Sequence, residues 1–99
     1  MDTISAKELD RYIKDGNALI VDLRPREEYW EGHIRGAVNV PHGNFRTELS
    51  GMRDKMIILY CERGGLSMSV ARDLERRGYR TKSVVGGIRA YRGENITRK

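Results

Sequence analysis

The sequence predicts an α/β fold in which a central parallel sheet of about five strands has helices on both faces. Short β-branched apolar runs alternate with helix-forming stretches, and glycine or proline stands at most of the junctions. The runs ALIVDL and MIILY are almost entirely apolar, which is typical of strands buried on both faces. In parallel sheets of this kind, the functional crevice lies beyond the carboxyl ends of the strands.

The elements of the first half can be assigned in order. A helix is predicted within SAKELDRYIKDG, where Ser5 and Glu8 match a capping box and Gly16 stops the helix. The strand ALIVDL follows, and Pro25 then opens a short helix, REEYWEG. AVNVP is predicted to be a strand ended by Pro41, and NFRTELSG to be a helix of about two turns.

The second half continues the alternation. MIILY is predicted to be a strand, SMSVARDLERRG a helix and TKSVVGG the last strand. Ser67 is the predicted N-cap of that helix, and Val70, Ala71 and Leu74 form its apolar stripe up to the stop at Gly78. The tail IRAYRGENITRK is predicted to contain a short helix.

Length and composition indicate one domain, residues 1–99, because 99 residues with 38% hydrophobic content can form a single modest core. No apolar run is long enough to cross a bilayer, and the N-terminal stretch lacks the apolar centre of a signal peptide. A single cysteine cannot form an internal disulfide. We therefore expect a cytoplasmic protein without a membrane partner.

Charge is unevenly distributed along the chain. Residues 1–62 contain 9 basic and 11 acidic side chains, and residues 63–99 contain 10 and 3, so net charges of −2 and +7 give the total of +5. The basic excess could attract an anionic small molecule, an acidic protein or nucleic acid, or form a solvated face. The helix arginines Arg72, Arg76 and Arg77 have no interleaved aromatic residues, so we expect a solvated or protein-docking face and no nucleic-acid partner.

Cys61 lies where the strand MIILY meets a loop with two adjacent glycines, which leads into a helix. Backbone N–H groups and the dipole at a helix N-terminus favour the thiolate, the nucleophilic form of cysteine. Gly64 and Gly65 would let the loop turn tightly, so that several N–H groups converge on one anion. The alternative is a small core residue, the commoner role for a lone cysteine at the end of a buried strand.

Three segments in order resemble the sequence signatures of rhodanese-like domains. They are LIVDLRPREEYWEGHIRGAVNVP, with Asp-x-Arg at the end of its strand, ILYCERGGLS, which resembles the active-site strand and loop, and GYRTKSVVGGIRAYRG, which resembles the closing segment. The resemblance extends from about Leu19 to Gly93 and implies the rhodanese-like three-layer fold.

The resemblance also implies that Cys61 is the catalytic residue of a sulfurtransferase. Its thiolate would attack the sulfane sulfur of thiosulfate or of a small or protein-bound persulfide donor, and would become a persulfide. A thiol or cyanide would accept that sulfur, without a metal or any other cofactor. The loop that would bind the substrate and the persulfide consists of Glu62, Arg63, Gly64, Gly65, Leu66 and Ser67.

Loop length distinguishes sulfurtransferases from phosphatases in this family. Cys61 to Leu66 gives the six residues of the sulfurtransferases, whereas the phosphatase loop has a seventh, an arginine that clamps phosphate. Ser67 stands at that position, which disfavours a phosphatase or an arsenate reductase. Leu66 differs from the Arg, Thr or Ser that is frequent at the sixth position, so a persulfide suits this loop at least as well as thiosulfate. Arg63 could supply positive charge or point to solvent.

Other polar residues are assigned supporting roles. Asp22 and Arg24 end the strand ALIVDL at the edge where Cys61 lies, and we expect a structural ion pair that supports the loop. His33 is expected to have the packing and hydrogen-bonding role of the family histidine, because a general base would need to contact Cys61. One cysteine and two histidines give no zinc-ligand spacing, so no metal site is predicted.

A binding module without catalysis is the main alternative function. Such a module would recruit a partner through its basic face, and rhodanese-like modules that have lost activity commonly lack the loop cysteine. The presence of Cys61 in a glycine-containing loop therefore favours the sulfurtransferase.

Overall fold

The computed structural model describes residues 2–98. In chain order its strands and helices are β1 (Asp2–Ile4), α1 (Leu9–Asp15), β2 (Ala18–Asp22), α2 (Arg26–Glu31), β3 (His33–Ile34), β4 (Val38–Asn39), α3 (Phe45–Glu48), β5 (Met56–Tyr60), α4 (Gly65–Arg76), β6 (Arg80–Val84) and β7 (Ile96–Thr97). Two 3₁₀ helices, His42–Asn44 and Gly87–Ala90, lie among these described elements.

The described residues form a parallel sheet of five strands in the order β1-β6-β5-β2-β4, and β3 pairs with β7 in a separate antiparallel ribbon. Strands β5, β2 and β6 lie at the centre, with Asp22 opposite Tyr60 in the register. The predicted α/β architecture with a five-stranded parallel sheet is therefore confirmed. Strands β1, β3 and β7 were not predicted, because runs of two or three residues are too short to show a periodicity.

The sheet is covered on both faces, and β5 explains why its run is apolar throughout. Successive strand residues point to opposite faces, so Ile57 and Leu59 enter the core beneath α4, whereas Ile58 and Tyr60 enter the core beneath α1. All four side chains are at most 1% exposed. Complete burial of one such aliphatic side chain contributes about 1.5–3 kcal/mol, so this strand anchors both cores.

The capping box before α1 is confirmed by its two hydrogen bonds. The Ser5 N–H donates to Glu8 Oε1 over 2.8 Å, and the Glu8 N–H donates to Ser5 Oγ over 3.2 Å. Gly16 ends the helix in the left-handed conformation, with φ 71°, and its N–H donates to the Tyr12 carbonyl. This stop agrees with the prediction and needs a glycine because φ is positive.

The predicted N-cap of α4 is wrong by three residues. The helix begins at Gly65 with Gly64 at the N-cap, so Ser67 lies inside the first turn. Its Oγ donates to the Gly64 carbonyl over 3.1 Å instead of accepting a helix N–H. The predicted two-turn helix in NFRTELSG is also shorter, since α3 covers Phe45–Glu48 after a 3₁₀ turn, and the strand in AVNVP is only Val38–Asn39.

Candidate active site

Cys61 follows β5 directly and lies at the carboxyl edge of the sheet. Strand β2 is its neighbour on one side and β6 on the other, so Asp22, Cys61 and Val84 come to one edge of the sheet. Cys61 is 5% exposed and packs with the core on the α4 side. Burial agrees with the packing alternative from the sequence, but the surroundings of the sulfur add features that packing does not require.

Two backbone N–H groups point at the sulfur of Cys61. The Gly64 N–H donates to Sγ over 3.1 Å, and the Ser67 N–H donates to it over 3.4 Å. Both donors belong to the loop and first turn of α4, where N–H groups have no helical partner. An anion at Sγ would be stabilised by these dipoles together with the positive end of the helix.

The two loop glycines have different roles. Gly64 has φ 103°, and a Cβ atom there would lie 2.9 Å from the Gly86 backbone nitrogen. Gly65 has an ordinary helical conformation, and a Cβ atom there would meet nothing within 4 Å. The tight turn that aims the Gly64 N–H at Sγ therefore depends on Gly64, whereas Gly65 opens the helix.

A second glycine pair supports the loop from the other side. The Ile88 N–H donates to the Cys61 carbonyl over 3.0 Å, and the Arg89 N–H donates to the Glu62 carbonyl over 3.2 Å. A Cβ atom on Gly87 would lie 2.5 Å from the Cys61 carbonyl oxygen, so only glycine permits this approach. The glycine pair is visible in the sequence VVGGI, but its contact with Cys61 depends on the tertiary fold.

Beneath the loop, Asp22 and Arg24 form the expected ion pair. Arg24 Nη2 donates to Asp22 Oδ2 over 2.7 Å, and its Nε donates to Oδ1 over 3.0 Å. Tyr60 Oη donates to the same carboxylate over 2.7 Å and accepts the Ile34 N–H. Burial, with the Asp22 charge beside it, raises the pKa of Tyr60 well above its usual value, so the phenol stays protonated as a donor.

The sulfur faces an open pocket of about 470 Å³. Its lining combines two arginines, two glutamates and mainly apolar or glycine neighbours: Leu23, Arg24, Pro25, Glu28, Cys61, Glu62, Arg63, Gly65 and Leu66. Leu66 is half-buried and also packs against the core, whereas Arg63 is exposed. The predicted loop residues thus surround one pocket, with Gly64 and Ser67 buried behind it.

His33 lies away from this pocket lining, in the ribbon of β3 and β7. Its Nδ1 is 2.8 Å from the Tyr29 carbonyl, and its ring stacks on Tyr29 with centroids 3.7 Å apart. These contacts are the packing and hydrogen-bonding role expected from the sequence. Within residues 2–98, no group of three or more His, Cys, Asp or Glu side chains could hold a metal ion.

Two of the helix arginines lie far from Cys61. Arg76 and Arg77 are at the end of α4, about 16 to 18 Å from its first residue at 1.5 Å per residue. Both pair with Asp73, at 3.5 and 3.0 Å, and Arg46 pairs with the same carboxylate at 3.1 Å. This basic surface is therefore partly neutralised and separate from the pocket. Among residues 2–98, no helix is long and apolar enough to span a membrane.

Comparison with family models matches residues 5–94 to the rhodanese-like domain. The chain belongs to the rhodanese-like family. A solved rhodanese-like domain protein from Staphylococcus aureus superposes with a TM-score of 0.88 at 29% identity, covering 100% of this chain and 99% of that one. Both the fold and its recognition from three sequence segments are confirmed.

Relatives of this rhodanese-like domain include proteins named as sulfurtransferases. "Putative sulfurtransferase YtwF" of Bacillus subtilis is 33% identical over 81 residues, covering 81% of this chain and 79% of that protein. "tRNA sulfurtransferase" of Desulfurococcus amylolyticus is 36% identical over 77 residues, which are 78% of this chain but 15% of that protein. A tRNA uridine(34) hydroxylase of Hamiltonella defensa is 33% identical over 96 residues, and the chain covers 27% of it. Membership of the family therefore supports sulfur transfer without specifying the reaction.

Proposed function

We propose that this chain is a sulfurtransferase that acts as a single rhodanese-like domain and carries sulfane sulfur as a persulfide on Cys61. The main support is the convergence of the Gly64 and Ser67 N–H groups on Sγ, at 3.1 and 3.4 Å, in a pocket open to solvent. Such donors stabilise negative charge on sulfur before, during and after transfer. Relatives named as sulfurtransferases support the same class of reaction.

The first half-reaction loads Cys61. Its thiolate attacks the outer sulfur of a persulfide, R–S–SH; the S–S bond breaks, R–S⁻ leaves with the electron pair, and Cys61 becomes Cys–S–SH. With thiosulfate the same attack releases sulfite and leaves Cys–S–S⁻. Both are displacements at sulfur that need no external oxidant or reductant.

The second half-reaction removes the outer sulfur from the persulfide on Cys61. A thiolate acceptor attacks the outer sulfur and leaves as R′–S–SH, or cyanide attacks and leaves as thiocyanate; in both cases Cys61 returns as thiolate. Neither step uses a cofactor. The loop residues 62–67 would hold the persulfide, with Asp22 and Arg24 supporting the loop from below. A reducing compartment such as the cytoplasm suits this cycle, because Cys61 must return to a free thiol.

Intact-protein mass spectrometry tests the proposal directly. After incubation with thiosulfate or a low-molecular-weight persulfide, the wild type should gain the mass of one sulfur, and dithiothreitol should remove it. Cys61→Ser should gain nothing, although its hydroxyl keeps nearly the same volume in the loop. Equal labelling of the serine variant would exclude Cys61 as carrier, and no labelling of the wild type by any donor would favour a binding module.

A further inference from the structure

The side chain of Glu62, the residue after the proposed sulfur carrier, lies between two arginines. Its Oε1 is 3.7 Å from Arg24 Nη1, and its Oε2 is 3.4 Å from Arg89 Nη1. One arginine follows β2 and the other belongs to the 3₁₀ helix Gly87–Ala90. The carboxylate therefore joins two separate segments at the mouth of the pocket, a role that the loop backbone does not require.

Arg24 is fixed and buried, unlike an ordinary surface arginine. It is 7% exposed, its Nε and Nη2 bind Asp22, and Nη2 also donates to the Gly32 carbonyl over 2.6 Å. Its Nη1 is on the side of Glu62, and the residue lines the pocket. A guanidinium held in this way would bind an anion without losing side-chain entropy, but its Nη1 already has the Glu62 carboxylate 3.7 Å away.

The charges of the pocket lining cancel. Arg24 and Arg63 contribute two positive charges, whereas Glu28 and Glu62 contribute two negative charges. The remaining side chains of the lining are apolar or glycine, apart from Cys61 itself. A dianion such as thiosulfate would approach two carboxylates and would have to displace Glu62 to reach Arg24. A donor whose R group is uncharged would not be repelled by these carboxylates.

We propose that Glu62 determines the class of sulfur donor by covering Arg24 with its own carboxylate. The donor is then a persulfide, R–S–SH, whose group R is apolar and carries no anion near the sulfur, and thiosulfate is a poor donor. This inference rests on the proposed sulfurtransferase function. The transfer is the one written above: Cys61 thiolate displaces R–S⁻ from the outer sulfur, and no redox partner is needed.

The variants Glu62→Gln and Glu28→Gln test the proposal as a matched pair. Each removes one negative charge from the same lining, but only Glu62→Gln removes a charge that pairs with Arg24, because Glu28 has no ion pair within residues 2–98. The rate of Cys61 persulfidation by thiosulfate, followed by intact mass, should rise about tenfold or more in Glu62→Gln and at most about twofold in Glu28→Gln. The ratio of the loading rate with thiosulfate to the loading rate with benzyl persulfide should therefore rise about fivefold or more in Glu62→Gln and stay nearly constant in Glu28→Gln.

Sulfate, which cannot donate sulfur, gives a readout that does not depend on turnover. Millimolar sulfate should slow the alkylation of Cys61 by iodoacetamide in Glu62→Gln, compared with chloride at the same ionic strength. In the wild type the alkylation rate should be the same in both salts. Sulfate protection of the wild type would overturn the proposal even if the variant failed to fold. Equal thiosulfate gains in both variants would also overturn it, because net charge alone would then explain the effect.

Failure of this inference differs from failure of the proposed function. If the wild type is loaded equally fast by thiosulfate and by benzyl persulfide, donor choice by Glu62 is wrong while sulfur transfer stands. If neither donor loads Cys61 in the wild type or in either variant, the sulfurtransferase itself is wrong and the inference falls with it.

Discussion

Two buried hydroxyl groups support the turn that donates to the sulfur of Cys61. Ser67 Oγ is 2.7 Å from Ser83 Oγ and donates to the Gly64 carbonyl over 3.1 Å, and both serines are completely buried. The pair links β6 to the turn that carries both N–H donors to Sγ. We therefore expect Ser83 to be a positioning residue, because its hydrogen bonds connect it to the sulfur only through Ser67 and Gly64.

Ser83→Ala should weaken this support and slow the reaction of Cys61. Loss of the hydroxyl leaves Ser67 with one partner fewer, at a cost of about 1 kcal/mol, and lets the Gly64 turn relax away from Sγ. The rate of iodoacetamide alkylation at pH 7 should fall severalfold because the thiolate is less stabilised. Thermal unfolding gives the stability change in the same samples.

Thr81→Val is the matched control for that substitution. Thr81 is two residues earlier in β6, and its buried hydroxyl also binds α4, where it donates to the Ala71 carbonyl over 3.2 Å. The Thr81→Val variant should lose similar stability but keep the wild-type alkylation rate, since the Thr81 hydroxyl makes no hydrogen bond to residues 62–67. If alkylation slowed equally in both variants, a general loss of stability, and not the positioning of the loop by Ser83, would control the reactivity of Cys61.

At the residue scale, the sequence was informative where a strand end identifies the site. Cys61, Asp22 and Arg24 were placed at one edge because each lies at or just after the end of a recognisable buried strand. Ser83 and the carboxylate of Glu62 were not assigned these roles. Ser83 contacts Ser67, which is 16 positions away in the chain. Glu62 contacts two arginines that are 38 and 27 positions away. No local sequence pattern encodes such pairs.

At the scale of elements, the loop after Cys61 is held between the N-terminus of α4 and the turn that follows β6. The Gly64 Cβ position lies against Gly86, and the Gly87 Cβ position lies against Cys61. Two backbone segments thus approach each other at distances that only glycine permits. The shape of the site is consequently a property of both turns together.

Gly64→Ala and Gly65→Ala should have opposite effects on stability. Alanine at position 64 must adopt φ near 103° and would place its Cβ 2.9 Å from a backbone nitrogen, so a loss of about 2 kcal/mol or more is expected. Alanine at position 65 meets no atom and replaces glycine in a helix, a gain of about 0.4–1 kcal/mol. Urea unfolding measures both. Equal destabilisation would contradict the assignment of the turn to Gly64 alone.

The elements that sequence analysis predicted correctly are those with enough residues to show a pattern. The strands in ALIVDL, MIILY and TKSVVGG and the helix REEYWEG agree with β2, β5, β6 and α2 to within a few residues. By contrast, β3 and β7 have two residues each and exist only because they pair with each other across the fold. The start of α4 was misplaced because Ser67 resembled an N-cap, although Gly64 provides the turn.

At the scale of the whole molecule, the C-terminal segment is tied to the first helix through Asp10. Tyr91 Oη and Asn95 Nδ2 both donate to Asp10 Oδ1, and Tyr91 Oη also accepts the Asn95 N–H over 3.0 Å. These hydrogen bonds join residues that are separated by 81 and by 85 positions in the chain. The same segment carries β7 and follows the 3₁₀ helix that supports Cys61, so Asp10 helps to close the fold around the site.

Asp10→Asn should lower the melting temperature in a manner that depends on pH. Hydrogen bonds from Tyr91, and next from Asn95, hold the pKa of Asp10 below its usual value. A lowered pKa in the folded state stabilises the protein above the unfolded value of about 3.9, and this stabilisation is lost as pH falls through the folded value. Asparagine keeps an oxygen that accepts both bonds but lacks the charge. The wild type should therefore melt roughly 4 °C higher from pH 5 to pH 8, and the difference should shrink below about pH 4. Asp15→Asn is the control, because Asp15 is on the same helix and has no hydrogen bond or ion pair to any described residue; it should show no such difference.

Melting temperatures measured by circular dichroism at each pH would test the prediction. A difference between the wild type and Asp10→Asn that stays constant down to about pH 2.5 would mean that the geometry of the side chain matters and its charge does not.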